Sequence, residues 1–312
     1  MYNYTIEKAT RNGTRHESYG VPNEDRHVVV YVNDFIWMGI FDGVSKGGGG
    51  GEAADLAARA MESVLQETIA AHDCEATGFE IIRRAQKSIL DATTQKAVKL
   101  QTTGVVACID RRAHTLTWFS IGDSAAFIYP KRKRPVKLTV EDTDIGESLA
   151  SGTITKVEAE SATVGHELNR WLGMQVAPEE IGCFIRRGRE SLAPGDIVLV
   201  CSDGFHSFVR PGKTKRILLK GEGPESLIKQ ALRSGSRDDI TVVCARPETR
   251  SRQIPLTFAI ALSAFLFACG FWLGTKMLMN LQGEVQCKRL DIQEETQDTF
   301  PDDTLTINIE ER

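Results

Sequence analysis

The stretch WMGIFDGVSKGGGGGEAADLAARA (37–60) joins an apolar run to an alanine-rich segment through Asp42, Gly43 and a run of glycines. Three interpretations arise: a phosphate-binding loop, a flexible tether, or the corner of a metal site. A phosphate-binding loop carries Lys followed by Ser or Thr after its last glycine, whereas Glu52 and two alanines follow here. A tether would separate domains, but the flanking strand and helix patterns belong to one domain. The metal-site interpretation therefore depends on the other acidic residues.

The composition bounds the class of protein. Hydrophobic residues make up 41% and charged residues 26% of the 312 residues, which is typical of a globular enzyme. The net charge of −4 gives no electrostatic basis for binding nucleic acid. A basic cluster, 131–134, lies between two short apolar runs and predicts a solvated turn, with an acidic partner or a lipid surface as alternatives. The seven cysteines show no zinc-binding spacing and suit a reducing compartment.

Periodicity predicts an α+β fold. HVVVYV (27–32) and FIWMGIF (35–41) are rich in β-formers and flank the turn pair Asn33–Asp34, which predicts a hairpin. Segments 52–72 and 79–98 have the apolar spacing of helices. Further strands are predicted in TTGVVACID, TLTWFSIG, AAFIYP, IVLVC and DITVVCA, and a helix in GPESLIKQALRSG. Hairpins with inserted helix pairs favour α+β over a parallel β-α-β arrangement.

Acidic residues recur where the predicted strands begin or end. Asp42, Asp123 and Asp203 each follow a strand, and Asp238 precedes one. Carboxylates that converge at strand ends repel one another unless cations compensate their charge. Hard divalent cations prefer such oxygen ligands. The set therefore predicts a metal site, although each Asp taken singly is typical of a turn.

An uncharged apolar stretch, 254–275, divides the chain. About 20 such residues span a bilayer as a helix, and Trp272 and Lys276 near one end resemble interface anchors. We predict a single transmembrane helix over 254–281, with a buried core helix as the alternative. A juxtamembrane linker, 248–253, precedes the predicted helix, and an acidic, disordered tail, 282–312, follows it.

Charge flanking this stretch predicts its orientation. Arg246, Arg250 and Arg252 precede it, whereas the tail is acidic. Positive residues favour the cytoplasmic side. We therefore expect residues 1–253, which comprise a domain over 1–247 and the linker, to face the cytoplasm, and the tail to lie outside the cytoplasm. The N-terminal residues contain no apolar segment of the kind found in a cleavable signal peptide.

Seven blocks follow one another along the chain: NEDR (23–26), FDGVSKGGGGGEAA (41–54), TTGVVACID (102–110), SIGDSAAFI (120–128), NRWLG (169–173), LAPGDIVLVCSDG (192–204) and SRDDITVV (236–243). In this order, they resemble the PPM, or type 2C, family of metal-dependent serine/threonine protein phosphatases. The resemblance covers about residues 12–245. It implies a four-layer αββα sandwich of two antiparallel sheets flanked by helices, with a binuclear Mn2+ or Mg2+ site at one end.

The resemblance also assigns ligands. Asp42 would bridge both ions, and Gly43 would offer its carbonyl oxygen to one of them. Asp203 and Asp238 would hold the other ion. The remaining assignments are Glu24 and Asp25, which would act mainly through water, and Asp123, which matches a residue that helps to hold a third, weaker ion in some members.

The sequence departs from the family pattern at its phosphate-binding arm. Many members carry Arg four residues before the Glu–Asp pair, and Gly20 stands there instead. The segment NGTRHESYGVPNED resembles a bacterial subgroup with a Gly-x-x-His lead-in. Arg15 is therefore a candidate phosphate ligand and His16 a candidate catalytic acid, with a solvated loop as the alternative for both. Lys46 could attract an anionic substrate or simply be exposed.

The activity implied by the resemblance is hydrolysis of phosphoserine and phosphothreonine in proteins by metal-activated water, with Asp42, Asp203 and Asp238 as the catalytic metal ligands. The alternative is a catalytically weak pseudophosphatase that acts as a membrane-anchored sensor or scaffold. Hydrolysis of small phosphate esters is a third candidate. The expected partners are phosphorylated proteins and a cognate Ser/Thr kinase.

Overall fold

A computed structural model describes residues 3–44, 48–67, 73–248 and 267–282. Contacts divide the chain into two compact units, Met1–Thr249 and Arg250–Arg312. The first unit contains both sheets. Its elements, in chain order, are β1 Tyr4–Arg11, α1 Thr14–Tyr19, β2 Arg26–Val32, β3 Phe35–Phe41, α2 Gly50–Glu67, α3 Cys74–Lys96, β4 Gly104–Asp110, β5 Thr115–Ile121, β6 Ala125–Tyr129, β7 Val136–Lys137, α4 Asp144–Ala150, α5 Lys156–Ser161, β8 Arg186–Ser191, β9 Ile197–Cys201, α6 Asp203–His206, α7 Pro211–Leu219, α8 Pro224–Arg233 and β10 Ile240–Pro247.

The two sheets each contain five strands, in the orders β1-β10-β9-β6-β7 and β2-β3-β4-β5-β8. Every pair of neighbouring strands is antiparallel. Successive side chains on a strand point to opposite faces, so one set from each strand fills the space between the sheets. Ile36, Met38 and Ile40 of β3 share this central layer with Val198 and Val200 of β9.

The outer faces of the sheets are covered by helices. Trp37 and Phe41 of β3 lie in one apolar cluster with Ala57 and Met61 of α2 and with residues of α3. On the other sheet, side chains of β9 and β10 cluster with Phe205 of α6 and with apolar residues of α7 and α8. The expectation of two antiparallel sheets flanked by helices is confirmed, and the order of layers is helix, sheet, sheet, helix.

The predicted hairpin is present, since β2 pairs with β3 from Arg26–Phe41 to Val32–Phe35. Asn33 takes a positive φ of 51° in its turn, which Asn tolerates better than most residues. The prediction for the start of α3 was wrong: the helix begins at Cys74, not at 79. Asp73 caps it by accepting hydrogen bonds from the Glu75 and Ala76 N–H groups, and a cap of this type moves the start toward the N-terminus.

The described part of the second unit, 267–282, is helical and largely exposed. Within the ranges that the structure describes, no helix is both long enough and apolar enough to cross a membrane. Residues 254–266 of the predicted transmembrane helix lie outside the described residues, as do most of the linker 248–253 and of the tail 282–312. The transmembrane helix and the disordered tail remain predictions.

Candidate active site

One end of the sandwich holds a cleft of about 580 Å3. Most of the residues singled out in the sequence meet there. Its walls include Arg15, His16, Asp42, Gly43, Asp123, Asp203 and Asp238, together with Val44, Gln101, Thr103, His166, Glu167, Leu168 and Trp171. Glu24 and Asp25 lie close to these residues: Glu24 Oε2 is 3.7 Å from His16 Nε2, and the charge of Asp25 acts on Asp42. The structure therefore brings the predicted acidic strand ends together.

The main chain of Asp42 is fixed where β3 ends. Its carbonyl oxygen accepts hydrogen bonds from the Thr103 N–H group and from the Thr102 hydroxyl, both at 2.8 Å. The Thr103 hydroxyl lies 2.8 Å from that of Ser124. These contacts hold Asp42 against β4 and the β5–β6 connection, so its carboxylate is presented from a rigid corner.

The glycine run has a steric explanation. A Cβ on Gly43 would lie 2.3 Å from the carbonyl carbon of Gly50, and a Cβ on Gly50 would lie 2.7 Å from that of Gly43. No side chain fits at either position. Gly48 and Gly49 have φ of 77° and 92°, a region that favours glycine. The run therefore lets the start of α2 lie directly against the Asp42–Gly43 corner. Lys46 lies outside the described residues.

Asp203, from the other sheet, and Asp123, in the connection from β5 to β6, extend the acidic wall. Asp203 is the first residue of α6, directly after β9. Asp123 follows β5, and its carbonyl oxygen accepts a 2.8 Å hydrogen bond from His206 Nε2. Burial lowers the pKa of His206 to about 4, so the ring is neutral with its proton on Nε2. His206 thus holds the Asp123 main chain in place.

Asp25 is the most buried acid of the set, with 5% of its surface exposed. Its Oδ2 accepts a 2.8 Å hydrogen bond from the Ser202 hydroxyl, while its Oδ1 is buried with no hydrogen-bond partner. Burial, with the nearby Asp239 and Asp203 charges, raises the pKa of Asp25 to about 7. An unpaired buried carboxylate oxygen is costly unless water or a cation meets it.

Three further carboxyl groups, those of Asp42, Asp203 and Asp123, also have raised pKa values. Burial is the main cause that raises the pKa of Asp42 well above its ordinary value, followed by the charges of Asp25, Asp203, Asp123 and Asp238. Burial and the Asp238 charge raise the pKa of Asp203 to about 6. Burial and Asp203 also raise the pKa of Asp123. Each of these acids is therefore destabilised as an anion by its neighbours.

This donor set fits hard divalent cations. Positive charge at the cleft would relieve the mutual repulsion that raises these pKa values, and oxygen ligands suit Mn2+ and Mg2+. Among the described residues, no three His, Cys, Asp or Glu side chains are already gathered around one point as ligands of an ion.

The N-terminal segment that carries Arg15 and His16 is bonded to Asp239, an acid to which the sequence analysis gave no role. Asp239 is buried and accepts hydrogen bonds from Gly13 N at 2.7 Å, His16 Nδ1 at 2.9 Å and Glu24 N at 2.6 Å. His16 Nε2 lies 3.7 Å from Glu24 Oε2. Arg15 is exposed at the cleft wall. The arm thus places both of its predicted residues at the site.

Sequence reasoning also missed the far wall. His166, Glu167, Leu168 and Trp171 come from the segment between α5 and β8. This segment joins the Asp42 corner because Thr102 and Leu172 exchange two main-chain hydrogen bonds. The block NRWLG (169–173) was a signal for this wall, as the SRDD block was for Asp239, but neither pattern states which side chains face the cleft.

The fold and the acidic cleft agree with one family of phosphatases. The family model described as protein phosphatase 2C matches residues 12–237. The chain belongs to the protein phosphatase 2C family, and it is a protein-serine/threonine phosphatase by class. No curated protein sequence matches the chain.

Solved structures share the fold. A bacterial serine phosphatase superposes with a TM-score of 0.68 at 21% identity, covering 80% of this chain and 100% of that chain. Stp1, a serine/threonine phosphatase from Staphylococcus aureus, gives 0.69 at 21% identity, covering 79% and 96%. The catalytic domain of the serine/threonine protein phosphatase PstP, in complex with 2 manganese ions, gives 0.64 at 22% identity, covering 80% and 100%.

Proposed function

We propose that the chain hydrolyses phosphoserine and phosphothreonine in proteins at a binuclear Mn2+ or Mg2+ site, with a third, weaker ion. The observation that carries this proposal is the acidic cleft. Asp42, Asp123 and Asp203 share raised pKa values there, and Asp25 keeps an unpaired buried oxygen beside them. A binding surface for neutral ligands would not need this concentration of mutually repelling acids.

The residues present supply the ligands that the ions require. Asp42, Asp203, Asp238 and the Gly43 carbonyl oxygen would hold the two ions, Glu24 and Asp25 would act through water, and Asp123 would serve the third. When bound, such ions lower the pKa of water and neutralise phosphoryl oxygens. The catalytic domain of PstP was solved in complex with 2 manganese ions, which supports Mn2+ as the metal here.

The chain's own side chains would position the phosphoryl group. Arg15 is the exposed cation on the cleft wall, and a guanidinium can donate two parallel hydrogen bonds to a phosphate. It would take over the contact that Arg makes at the position of Gly20 in many relatives. Trp171 and His166, which also line the cleft, would contact the residues that flank the phosphorylated side chain.

His16 would hold the proton that the leaving serine or threonine oxygen needs. Its Nδ1 lies 2.9 Å from Asp239 Oδ2, so an Nδ1–H can donate to that carboxylate, and its Nε2 lies 3.7 Å from Glu24 Oε2 at the wall of the cleft. This bond to the Asp239 carboxylate would orient the His16 ring. The same carboxylate also accepts a hydrogen bond from the main-chain N–H of Glu24 and so positions that residue. A proton donor placed in this way assists departure of a poor leaving group.

The test is metal-dependent release of phosphate from a phosphothreonine peptide by residues 1–253. This piece contains the whole compact unit Met1–Thr249. We expect hydrolysis with Mn2+, loss of hydrolysis in EDTA, and metal binding by calorimetry without substrate. Metal binding without hydrolysis would favour the sensor or scaffold alternative. Hydrolysis that survives complete metal removal would overturn the proposal.

We further propose that residues 254–281 anchor the enzyme in the cell membrane as a single span. The uncharged stretch in the sequence and the preceding Arg246, Arg250 and Arg252 support this orientation, with the phosphatase domain in the cytoplasm and the tail outside it. Phosphorylated cytoplasmic proteins and a cognate Ser/Thr kinase are the partners that this placement favours.

A further inference from the structure

Two cysteine sulfurs approach each other away from the acidic cleft. The Sγ atoms of Cys74 and Cys108 lie 2.8 Å apart, closer than two sulfurs that only pack together. Cys74 is the first residue of α3, and Cys108 lies in the middle of β4. Both residues are free thiols. The contact therefore joins a helix and a strand that are far apart in sequence.

The backbones around the pair are held close together. One helical turn after Cys74, a Cβ on Gly78 would lie 2.1 Å from a ring carbon of Phe119, so α3 lies directly on the sheet. Phe119 is on β5 and pairs with Val106 of β4. The approach of the two sulfurs follows from this packing and needs no rearrangement of the fold.

Solvent reaches the pair from one side. Cys74 is half-buried, and Cys108 is buried. A second cleft, of about 340 Å3, is lined by Cys74, Phe119, Arg187 and Arg189 among others. A dissolved oxidant reacts only with a thiol that it can reach. Cys74 lines this cleft, whereas Cys108 is buried behind it, so Cys74 is the thiol that an oxidant meets first.

We propose that Cys74 and Cys108 are an oxidisable pair that hydrogen peroxide converts into an intramolecular disulfide. The Cys74 thiolate attacks one peroxide oxygen, the O–O bond breaks, and the sulfur becomes a sulfenic acid while water leaves. The Cys108 sulfur then attacks the Cys74 sulfur, and a second water leaves. Two thiols lose two electrons and two protons, and one peroxide is reduced to two waters.

The disulfide would tie the start of α3 to the middle of β4. A cross-link between residues this far apart restricts the unfolded chain and stabilises the fold. Cys108 lies toward the Asp110 end of β4, whereas Thr102 and Thr103, which hold Asp42, precede its other end. The bond would therefore raise thermal stability and leave the phosphatase site intact.

The test is peptide mapping of the full-length protein after brief exposure to hydrogen peroxide. Remaining thiols are blocked with N-ethylmaleimide, and the protein is digested without reductant. We expect a linked pair of peptides that contain Cys74 and Cys108, which dithiothreitol separates, and a higher melting temperature than that of the reduced protein. Stepwise oxidation of Cys74 to sulfonic acid with Cys108 still labelled would overturn the proposal.

Two variants make the assignment specific. Cys74→Ser changes the half-buried partner and avoids a substitution in the core. It should abolish the linked peptides and the peroxide-induced rise in melting temperature. Cys183→Ser removes an exposed thiol and should leave both unchanged. A rise in melting temperature that persists in Cys74→Ser would contradict the inference, as would linked peptides that involve Cys183 instead.

Discussion

His16 and Asp239 form a buried contact of 2.9 Å between Nδ1 and Oδ2. It joins the first helix to the residue that precedes the last strand, across most of the chain. The same carboxylate accepts hydrogen bonds from the main chain of Gly13 and of Glu24. A single acid thus sets both the ring orientation of His16 and the position of a proposed metal ligand.

Asp239→Asn should affect poor leaving groups more than good ones. The variant weakens the bond that orients His16, so proton donation to the leaving oxygen suffers, and general acid catalysis contributes about 10²–10⁴-fold in rate. The p-nitrophenolate group leaves without a proton. We expect kcat on phenyl phosphate or a phosphothreonine peptide to fall at least tenfold further than kcat on p-nitrophenyl phosphate.

His16→Gln provides the matched comparison for Asp239→Asn. It should show the same dependence on the leaving group, and the double variant should be little worse than either single variant because the two residues act as a unit. Equal losses on both substrates would mean that Asp239 only supports the fold. The ratio of the two rates distinguishes these cases even if overall activity is low.

Asp42→Asn should abolish most of the activity. The variant removes a negative charge from the residue proposed to lie between two dications, and each ~1.4 kcal/mol of lost barrier stabilisation is a factor of ten in rate. We expect turnover at saturating Mn2+ to fall at least ~1000-fold, as measured by phosphate release. The metal-free variant should melt at the same temperature or higher, because the substitution relieves repulsion among the acids.

Asp55→Asn is the control for Asp42→Asn. Asp55 lies on α2 and pairs with Arg26 and Arg59 at the surface, and surface ion pairs contribute little. Its activity should stay near that of the wild type. A tenth of wild-type turnover retained by Asp42→Asn would exclude Asp42 as the shared ligand.

The sequence was enough to predict which acids group together, but not which other side chains contact them. Asp42, Asp123 and Asp203 follow apolar strands, so the rule that strand ends converge was enough to group them. The position of a residue in the sequence does not predict which way its side chain points. The roles of Asp239 and His206 were missed for that reason. Both act through contacts with residues distant in sequence, at His16 and at the Asp123 carbonyl oxygen.

Two of the missed strands share a physical cause. β1 and β8 were not predicted, and the six residues of β8, RRGRES, contain no apolar side chain. β8 pairs only with β5 at the edge of its sheet, and most of its side chains are exposed, so no hydrophobic alternation marks it. β1 is likewise an edge strand that pairs with β10. Central strands such as β3 and β9 are buried on both faces and were readily predicted.

Gly43→Ala should destabilise the fold. The new Cβ would lie 2.3 Å from Gly50, so α2 or the corner must move, and overpacking of this kind costs about 1–3 kcal/mol. We expect a lower melting temperature. Gly212→Ala is the control, since nothing lies within 4 Å of its added Cβ and alanine favours the helix. Equal melting temperatures for both variants would contradict the steric explanation of the glycine run.

Reporter fusions test the proposed orientation in the membrane. A reporter enzyme that is active only outside the cytoplasm should work when fused after Arg312 and stay silent when fused after Pro247. Arg246, Arg250 and Arg252 provide the charge that favours this orientation. The opposite pattern would refute it and would deny the domain access to cytoplasmic phosphoproteins.

The metal-free domain should lose stability as the pH rises from 6.5 to 8. The folded-state pKa of Asp25 is about 7, above the ordinary value of about 3.9. The folded state therefore binds more protons than the unfolded state in this range, and stability falls as those protons leave. The lowered pKa of His206, about 4, acts in the opposite direction and offsets part of this fall, because the ring of the unfolded state, with an ordinary pKa of about 6.5, is still about half protonated at pH 6.5.

Urea unfolding in EDTA at the two pH values measures this effect. We expect the free energy of unfolding to fall by on the order of 1 kcal/mol for Asp25 alone, with a further loss from Asp42. Asp25→Asn should reduce the fall, whereas Asp55→Asn should keep it. Saturating Mn2+ should reverse the trend, because cations favour the ionised acids and stabilise the folded state that binds them. Stability of the metal-free domain that rises over this range would show that the acids are not held in a repelling cluster, and the basis for a metal site at this cleft would be lost.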